Sequence, residues 1–124
     1  MLARVLTCFM GKIIKFYTKL DGKSPVLEFL DSLPSKVAQK VTWVLKIIES
    51  HDNIQSNYFK KLTNTDLWEC RIQFGSNIYR ILCFFEGNSI IILTHGFIKK
   101  TQKTPISEVE KAEQYMKDYL KRRK

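Results

Sequence analysis

Two arginines lie in neighbouring strand-like stretches of the sequence, at a spacing that could bring them to a single anion. Arg71 belongs to an alternating stretch that ends at Gly75-Ser76, and Arg80 belongs to the more apolar stretch that follows. If Gly75-Ser76 is a two-residue hairpin turn, Arg71 and Arg80 lie directly opposite each other on one face of a sheet. Because a guanidinium can donate two parallel hydrogen bonds to a phosphate, this pair predicts a phosphate-binding site.

A histidine and a glutamate are predicted to lie beside the two arginines. A second tight turn at Gly87-Asn88 would place His95 opposite Arg80, in a basic row across the sheet with Glu69 next to it. A turn longer by one residue would break this row. Like charges directly opposite each other destabilise a sheet, so we expect either that Glu69 separates the arginines or that a phosphate binds there. The structural alternative is that the arginines form ion pairs with Glu69 and Glu86.

Lysines flank the same strands on both sides. Two precede the first arginine-bearing strand and three follow the last strand of the group: Lys60, Lys61, Lys99, Lys100 and Lys103. If they converge on the arginine face, they form a basic concavity suited to a nucleic-acid backbone. The alternative is that they are solvated loop charges.

The overall charge of the chain also favours an anionic partner. The 124 residues include 21 Lys and Arg against 12 Asp and Glu, a formal net charge of +9, which indicates nucleic acid first and an acidic protein second. The three cysteines form no C-x-x-C motif and the two histidines are far apart, so no metal site is expected. Unpaired thiols, and apolar runs all shorter than the roughly 20 residues of a membrane span, predict a cytoplasmic protein.

The elements that would position these side chains form an α+β domain. We predict an N-terminal strand, a helical hairpin, an antiparallel meander of three strands and a C-terminal helix. Residues 1–10 are a candidate N-terminal extension, and residues 11–124 form a single domain. The predicted elements are strand 12–18, a helix from Pro25 to about Ser32, a helix from Pro34 to about residues 50–53, strands 67–74, 77–85 and 89–97, and a helix capped by Thr104-Pro105.

Three stretches of this pattern resemble the RelE/ParE toxin superfamily and, within it, the phage-derived HigB-type toxins. They are Leu67–Ile72, Asn77–Ile81 and His95–Pro105, and the resemblance extends from Gly11 to the C-terminus. It implies a RelE-like fold and the toxin of a type II toxin–antitoxin system. Such a toxin enters the A site of the 70S ribosome and cuts mRNA there by attack of a 2′-hydroxyl on the adjacent phosphate, with no metal or cofactor. The implied partner is a helix-turn-helix antitoxin of the HigA type.

Carried over by position, the resemblance assigns roles to the candidate residues. Arg80 matches the arginine of the Tyr-Arg step in the middle strand and is expected to stabilise the phosphate in the transition state, and Arg71 should contact the scissile region. Glu69 stands where some RelE-type toxins carry lysine, so it is either the general base or a residue that orients Arg71. His95 is a candidate proton donor, and the alternative is a histidine with a structural role within the sheet. The catalytic candidates are thus Arg71, Arg80, Glu69, His95 and Lys99, and the RNA-binding candidates are Lys60, Lys61, Lys100 and Lys103.

Two other functions remain open from the sequence. One is a ParE-like inhibitor of DNA gyrase with the same fold and no RNA chemistry, and the other is a non-catalytic module that binds RNA or the ribosome. The arginine pair and the lysines after the last strand favour the ribonuclease, because an inhibitor that only binds gyrase needs no phosphate site.

Overall fold

The computed structural model describes residues 11–101 and 103–123 as a five-stranded sheet with helices on both faces. The sheet order is β1-β5-β4-β3-β2. The fold is α+β, as the sequence predicts, and is consistent with the RelE-like fold. The elements are β1 (Ile13–Phe16), α1 (Pro25–Asp31), α2 (Ser35–Ser50), β2 (Phe59–Lys61), β3 (Trp68–Phe74), β4 (Asn77–Glu86), β5 (Ile90–Lys99) and α3 (Ile106–Arg122).

The predicted meander is present as β3, β4 and β5, and two further strands extend it. β1 runs parallel to β5, which makes the sheet mixed. The short strand β2, which the sequence did not predict, pairs antiparallel with β3 and sets Lys60 opposite Glu69. This pairing brings a lysine from outside the meander to the arginine-bearing face.

Helices cover the two faces of the sheet with separate apolar cores. α1 and α2 bury residues such as Val26 and Val41 against one face. α3 covers the other face, where Ala112 packs with Leu82 and Phe84. The second face continues past the N-terminal end of α3 into polar side chains, so this helix forms one wall of the region where the arginines lie.

The first hairpin has the predicted register and the second does not. Arg71 lies directly opposite Arg80, as expected. In the second hairpin the loop is one residue longer than predicted, since Glu86 pairs with Ile90, and a β-bulge interrupts the ladder at Leu82. Arg80 therefore lies opposite Phe97, and the predicted pairing of Arg80 with His95 is wrong.

Candidate functional site

A cavity of about 390 Å³ opens on the arginine-bearing face, between the β2–β3 hairpin, the end of β5 and the start of α3. Five of its lining residues are lysine or arginine and one is acidic, so the cavity carries a strong positive charge. The lining residues are Lys60, Lys61, Leu62, Thr63, Thr65, Glu69, Arg71, Lys99, Lys103, Thr104, Ile106 and Val109.

Glu69 separates the two arginines, which is one of the two arrangements expected from the sequence. Its Oε1 lies 3.4 Å from Nε of Arg80 and 3.6 Å from Nε of Arg71. Glu69 is 3% exposed and Arg80 is 6% exposed, so these charges are largely removed from water. The carboxylate offsets the repulsion that two facing guanidiniums would otherwise feel. Glu86, the other partner considered, instead contacts Tyr119 on α3 and Arg123 just after the end of that helix.

Each guanidinium is oriented by one backbone carbonyl and leaves another donor unused. Nη1 of Arg71 donates to the carbonyl of Ser56 at 3.1 Å, and Nη1 of Arg80 donates to the carbonyl of Tyr79 at 3.0 Å. The Nε atoms of both arginines are buried and have no hydrogen-bond partner among the described residues. Buried unsatisfied donors are uncommon and costly, so the arrangement of these two side chains requires an explanation.

Thr104 holds the other oxygen of Glu69. The threonine hydroxyl donates to Oε2 of the carboxylate. The sequence had predicted that Thr104 caps α3 together with Pro105, but Pro105 occupies the N-cap position and no side chain caps that end of the helix. The hydroxyl is thus engaged at the candidate site rather than at the helix end. A Thr-Pro pair before a helix looks the same in either case, so no pattern in the sequence distinguishes the two.

Lys99 is a buried lysine beside the arginine pair. It lies at the end of β5 and is 8% exposed. Burial lowers the pKa of Lys99 below its ordinary value; Glu69 acts against this shift, and the cations of Arg80, Arg71 and Lys60 add to it. Burial likewise lowers the pKa of Arg80, with Glu69 opposing and Arg71 reinforcing the shift. Among these groups a lysine is the one suited to proton transfer, because an arginine stays charged at any relevant pH.

His95 lies in a different cluster from the arginines. It shares their face of the sheet but sits opposite Leu82, and its Nε2 lies 2.9 Å from Oε1 of Glu108 on α3. Phe97 and Tyr115 pack around the ring. Burial lowers the pKa of His95, Glu108 raises it and Lys111 lowers it. These contacts describe a histidine that joins β5 to α3.

The other lysines divide between two places. Lys60, Lys61 and Lys103 line the cavity together with Arg71. Lys100 is exposed and lines a separate depression beside the β3–β4 turn, with Ser76 and other residues. The basic concavity thus takes in three of the four RNA-binding candidates.

Two other features concern only the part of the chain that the structure describes. Within residues 11–101 and 103–123 no group of three or more His, Cys, Asp or Glu side chains is arranged to hold a metal ion. None of the described helices is both long enough and apolar enough to cross a membrane.

Comparison with known proteins identifies one matching family. A family model with the description "Phage derived protein Gp49-like (DUF891)" matches residues 28–117. This segment is well over half of the chain and contains every residue that lines the cavity. No curated protein matches the chain.

Proposed function

Because the chain belongs to the phage-derived Gp49-like family, which is a RelE-like toxin family, we propose that it is a ribosome-dependent mRNA endoribonuclease of the HigB type. The observation that carries this proposal is the facing pair of arginines: Arg71 lines a lysine-rich cavity, and Arg80, directly opposite it on β4, is buried. The Nε atoms of both have no hydrogen-bond partner among the described residues. A protein that acts only by binding another protein has no need of two guanidiniums that face each other, one of them buried. RNA supplies the phosphate that such a pair would bind.

The proposed reaction is attack of an RNA 2′-oxygen on the adjacent phosphorus. The new O2′–P bond forms as the P–O5′ bond breaks, which leaves a 2′,3′-cyclic phosphate and a free 5′-hydroxyl. Arg71 and Arg80 stabilise the negative charge that builds up on the phosphoryl oxygens. The 2′-hydroxyl loses a proton to a base, and the leaving 5′-oxygen gains one from an acid.

Lys99 is the best candidate for the acid. A protonated lysine donates its proton more readily when its pKa is lowered, and burial lowers that of Lys99. His95 is less suited, since its Nε2 is engaged with Glu108 on α3. Glu69 is better suited to orient the arginines than to act as the base, because both of its oxygens already face protein groups.

If Lys99 is the acid, the cleavage rate should fall as the pH rises through its pKa, which lies below the ordinary value of 10.5. Above that pKa the protonated fraction drops tenfold per pH unit. Lys99→Arg keeps the positive charge but does not titrate in this range, so we expect the alkaline fall to disappear and the rate to drop by about 10²-fold or more. The measurement is the single-turnover rate on ribosome-bound mRNA across the pH range.

The matched control is Lys46→Arg, on the exposed side of α2 and outside the cavity. This control should keep the alkaline fall of the unmodified protein. An unchanged alkaline fall in Lys99→Arg would remove Lys99 from the acid role.

Membership of a toxin family implies an antitoxin, and we propose a HigA-like helix-turn-helix protein in this role. The net charge of +9 favours a partner that presents acidic side chains to the basic cavity or to α3. Expression of the chain alone should arrest growth, and expression together with its antitoxin should restore it. Unimpaired growth without any antitoxin would contradict the toxin role.

The test of the activity is cleavage on 70S ribosomes programmed with a defined mRNA. The purified protein is added in the presence of EDTA, and the RNA ends are mapped by primer extension. We expect metal-independent cuts at the codon in the A site, in keeping with action in the cytoplasm. Intact mRNA with a correctly folded protein would overturn the proposal. Inhibition of gyrase supercoiling would then support the ParE-like alternative, and ribosome binding without cleavage would support the non-catalytic one.

A further inference from the structure

We infer that Thr104 is a positioning residue of the arginine pair and acts through Glu69. By holding one carboxylate oxygen, it keeps the other between Arg71 and Arg80 and so keeps the two guanidiniums in a fixed arrangement. The inference rests on the proposed function for its kinetic consequence, but the geometry itself can be tested without RNA cleavage.

The position of the Glu69 carboxylate determines how the two guanidiniums are held. Oε1 lies within 3.6 Å of both Nε atoms, yet neither contact has the geometry of a hydrogen bond. The arginines are therefore drawn to the carboxylate by charge and are not fixed by a directed bond at Nε. An electrostatic contact of this kind permits the carboxylate to rotate, unless something else fixes it.

Thr104 supplies that fixed point. Its hydroxyl donates to Oε2, whereas the contacts with the two arginines are made by Oε1. A β-branched side chain has few rotamers, and the proline that follows restricts the backbone of Thr104 to extended conformations. The hydroxyl is therefore presented in a nearly fixed place. Thr104 also lines the cavity, so it links the connection between β5 and α3 to the anion site.

Phosphate binding benefits because the Glu69 carboxylate, which is negatively charged like a phosphate, is held in one place. A free carboxylate would rotate to form directed hydrogen bonds with the nearest Nε–H groups, and would turn the two guanidiniums as it did so. Held at Oε2 by Thr104, it neutralises part of the cationic charge without occupying those donors. The unused Nε–H groups of the two arginines are the expected result of this arrangement.

The loss of the threonine hydroxyl should therefore affect the chemical step more than substrate binding. If the proposed function holds, the lysines that line the cavity contribute to RNA affinity whether or not the arginines are aligned. The arginines act mainly on charge that develops in the transition state, and a small misplacement of such groups costs about 10²-fold in rate. We expect Thr104→Val, which keeps the shape and removes the hydroxyl, to lower kcat by about 10–100-fold and to change KM by less than about threefold.

The experiment compares three variants with the unmodified protein on programmed ribosomes. Thr104→Ser restores the hydroxyl and should keep kcat within about threefold of the unmodified value, while Thr104→Val should not. Thr42→Val is the matched control, since its hydroxyl bonds the carbonyl of Ala38 on the exposed side of α2, and it should change neither constant. A normal kcat in Thr104→Val, or an equal loss in Thr104→Ser, would overturn the inference.

A second readout separates this inference from the proposed function. The ¹⁵N–¹H resonances of the arginine Nε–H groups are followed by NMR, with and without inorganic phosphate. If Thr104 positions the pair, Thr104→Val should shift the Nε–H resonances of Arg71 and Arg80 and weaken phosphate binding, and Thr104→Ser should restore both. That result with no RNA cleavage by the unmodified protein would support the inference and overturn the ribonuclease. Cleavage by the unmodified protein, with unshifted resonances in Thr104→Val, would overturn the inference alone.

Discussion

Alanine in place of Arg80 is expected to lower the rate of mRNA cleavage on programmed ribosomes by about 10³-fold, with a much smaller loss of ribosome affinity. Arg80 is the more deeply buried arginine of the pair, with 7% of its side chain exposed against 26% for Arg71. A charge desolvated in this way interacts strongly with a phosphoryl group. We therefore expect Arg80→Ala to cost more activity than Arg71→Ala, measured as single-turnover rates with saturating protein.

The loss of cleavage activity in Arg80→Ala must be distinguished from unfolding, because Arg80 also faces the buried carboxylate of Glu69. In Arg80→Ala that carboxylate keeps Arg71 and the Thr104 hydroxyl as partners, so we expect the fold to persist. Thermal unfolding followed by circular dichroism checks this. Arg123→Ala is the control, because Arg123 forms an exposed ion pair with Glu86 at 2.7 Å, and such pairs contribute about 0–1 kcal/mol. A folded Arg80→Ala protein that cleaves at the unmodified rate would exclude Arg80 from the reaction.

The pairing of the two arginines was predictable because a single local feature sets it. Gly75 has a φ of 62°, a conformation that glycine adopts readily at the first central position of a two-residue hairpin turn. Phe74 then pairs with Asn77, and the opposition of Arg71 and Arg80 follows by counting along the strands. Where a short turn fixes the register, the sequence is sufficient to predict which residues of a hairpin lie opposite each other.

The error at His95 came from two shifts, neither of which has a clear local signal. The β4–β5 loop contains one residue more than a two-residue turn, and the bulge inserts Thr94 on β5, where its hydroxyl bonds the carbonyl of Leu82 at 2.8 Å. One shift alone would have moved His95 to the opposite face. Two shifts restore the face but move His95 two residues along β4, from Arg80 to Leu82. The predicted face was therefore right and the predicted neighbour wrong.

The features that sequence reasoning missed are those that depend on distant parts of the chain. β2 has only three residues and gains its strand character by pairing with β3, so no periodic pattern marks it. The parallel contact of β1 with β5 joins residues far apart in the chain. Thr104 and Glu69 are likewise separated by 35 residues. They meet only because β3 and β5 lie in the same sheet, on either side of β4. Side-chain types thus predicted a basic site, whereas the contacts that orient its side chains, such as that of Thr104 with Glu69, depend on tertiary packing.

A methyl group at Gly96 is expected to destabilise the protein by about 1–3 kcal/mol, because the ring of Phe29 occupies its place. A Cβ built on Gly96 would lie 2.2 Å from Cδ2 and 2.6 Å from Cε2 of that ring, far inside van der Waals contact. Phe29 belongs to α1 and Gly96 to β5, so this close approach seats α1 on the sheet. The free energy of unfolding of Gly96→Ala in denaturant measures the effect.

The destabilising effect of Gly96→Ala on the free energy of unfolding should disappear or reverse when the ring of Phe29 is removed. In a Phe29→Ala background the clash is absent, and alanine is favoured over glycine within a strand by about 0.5–1 kcal/mol, so Gly96→Ala should become neutral or stabilising there. Gly22→Ala is the comparison, because Gly22 has a φ of 87° and nothing within 4 Å of its Cβ position. We expect it to lose about 1 kcal/mol through backbone strain alone, in either background. Equal losses from Gly96→Ala with and without Phe29 would show that the ring does not determine the requirement for glycine at this position.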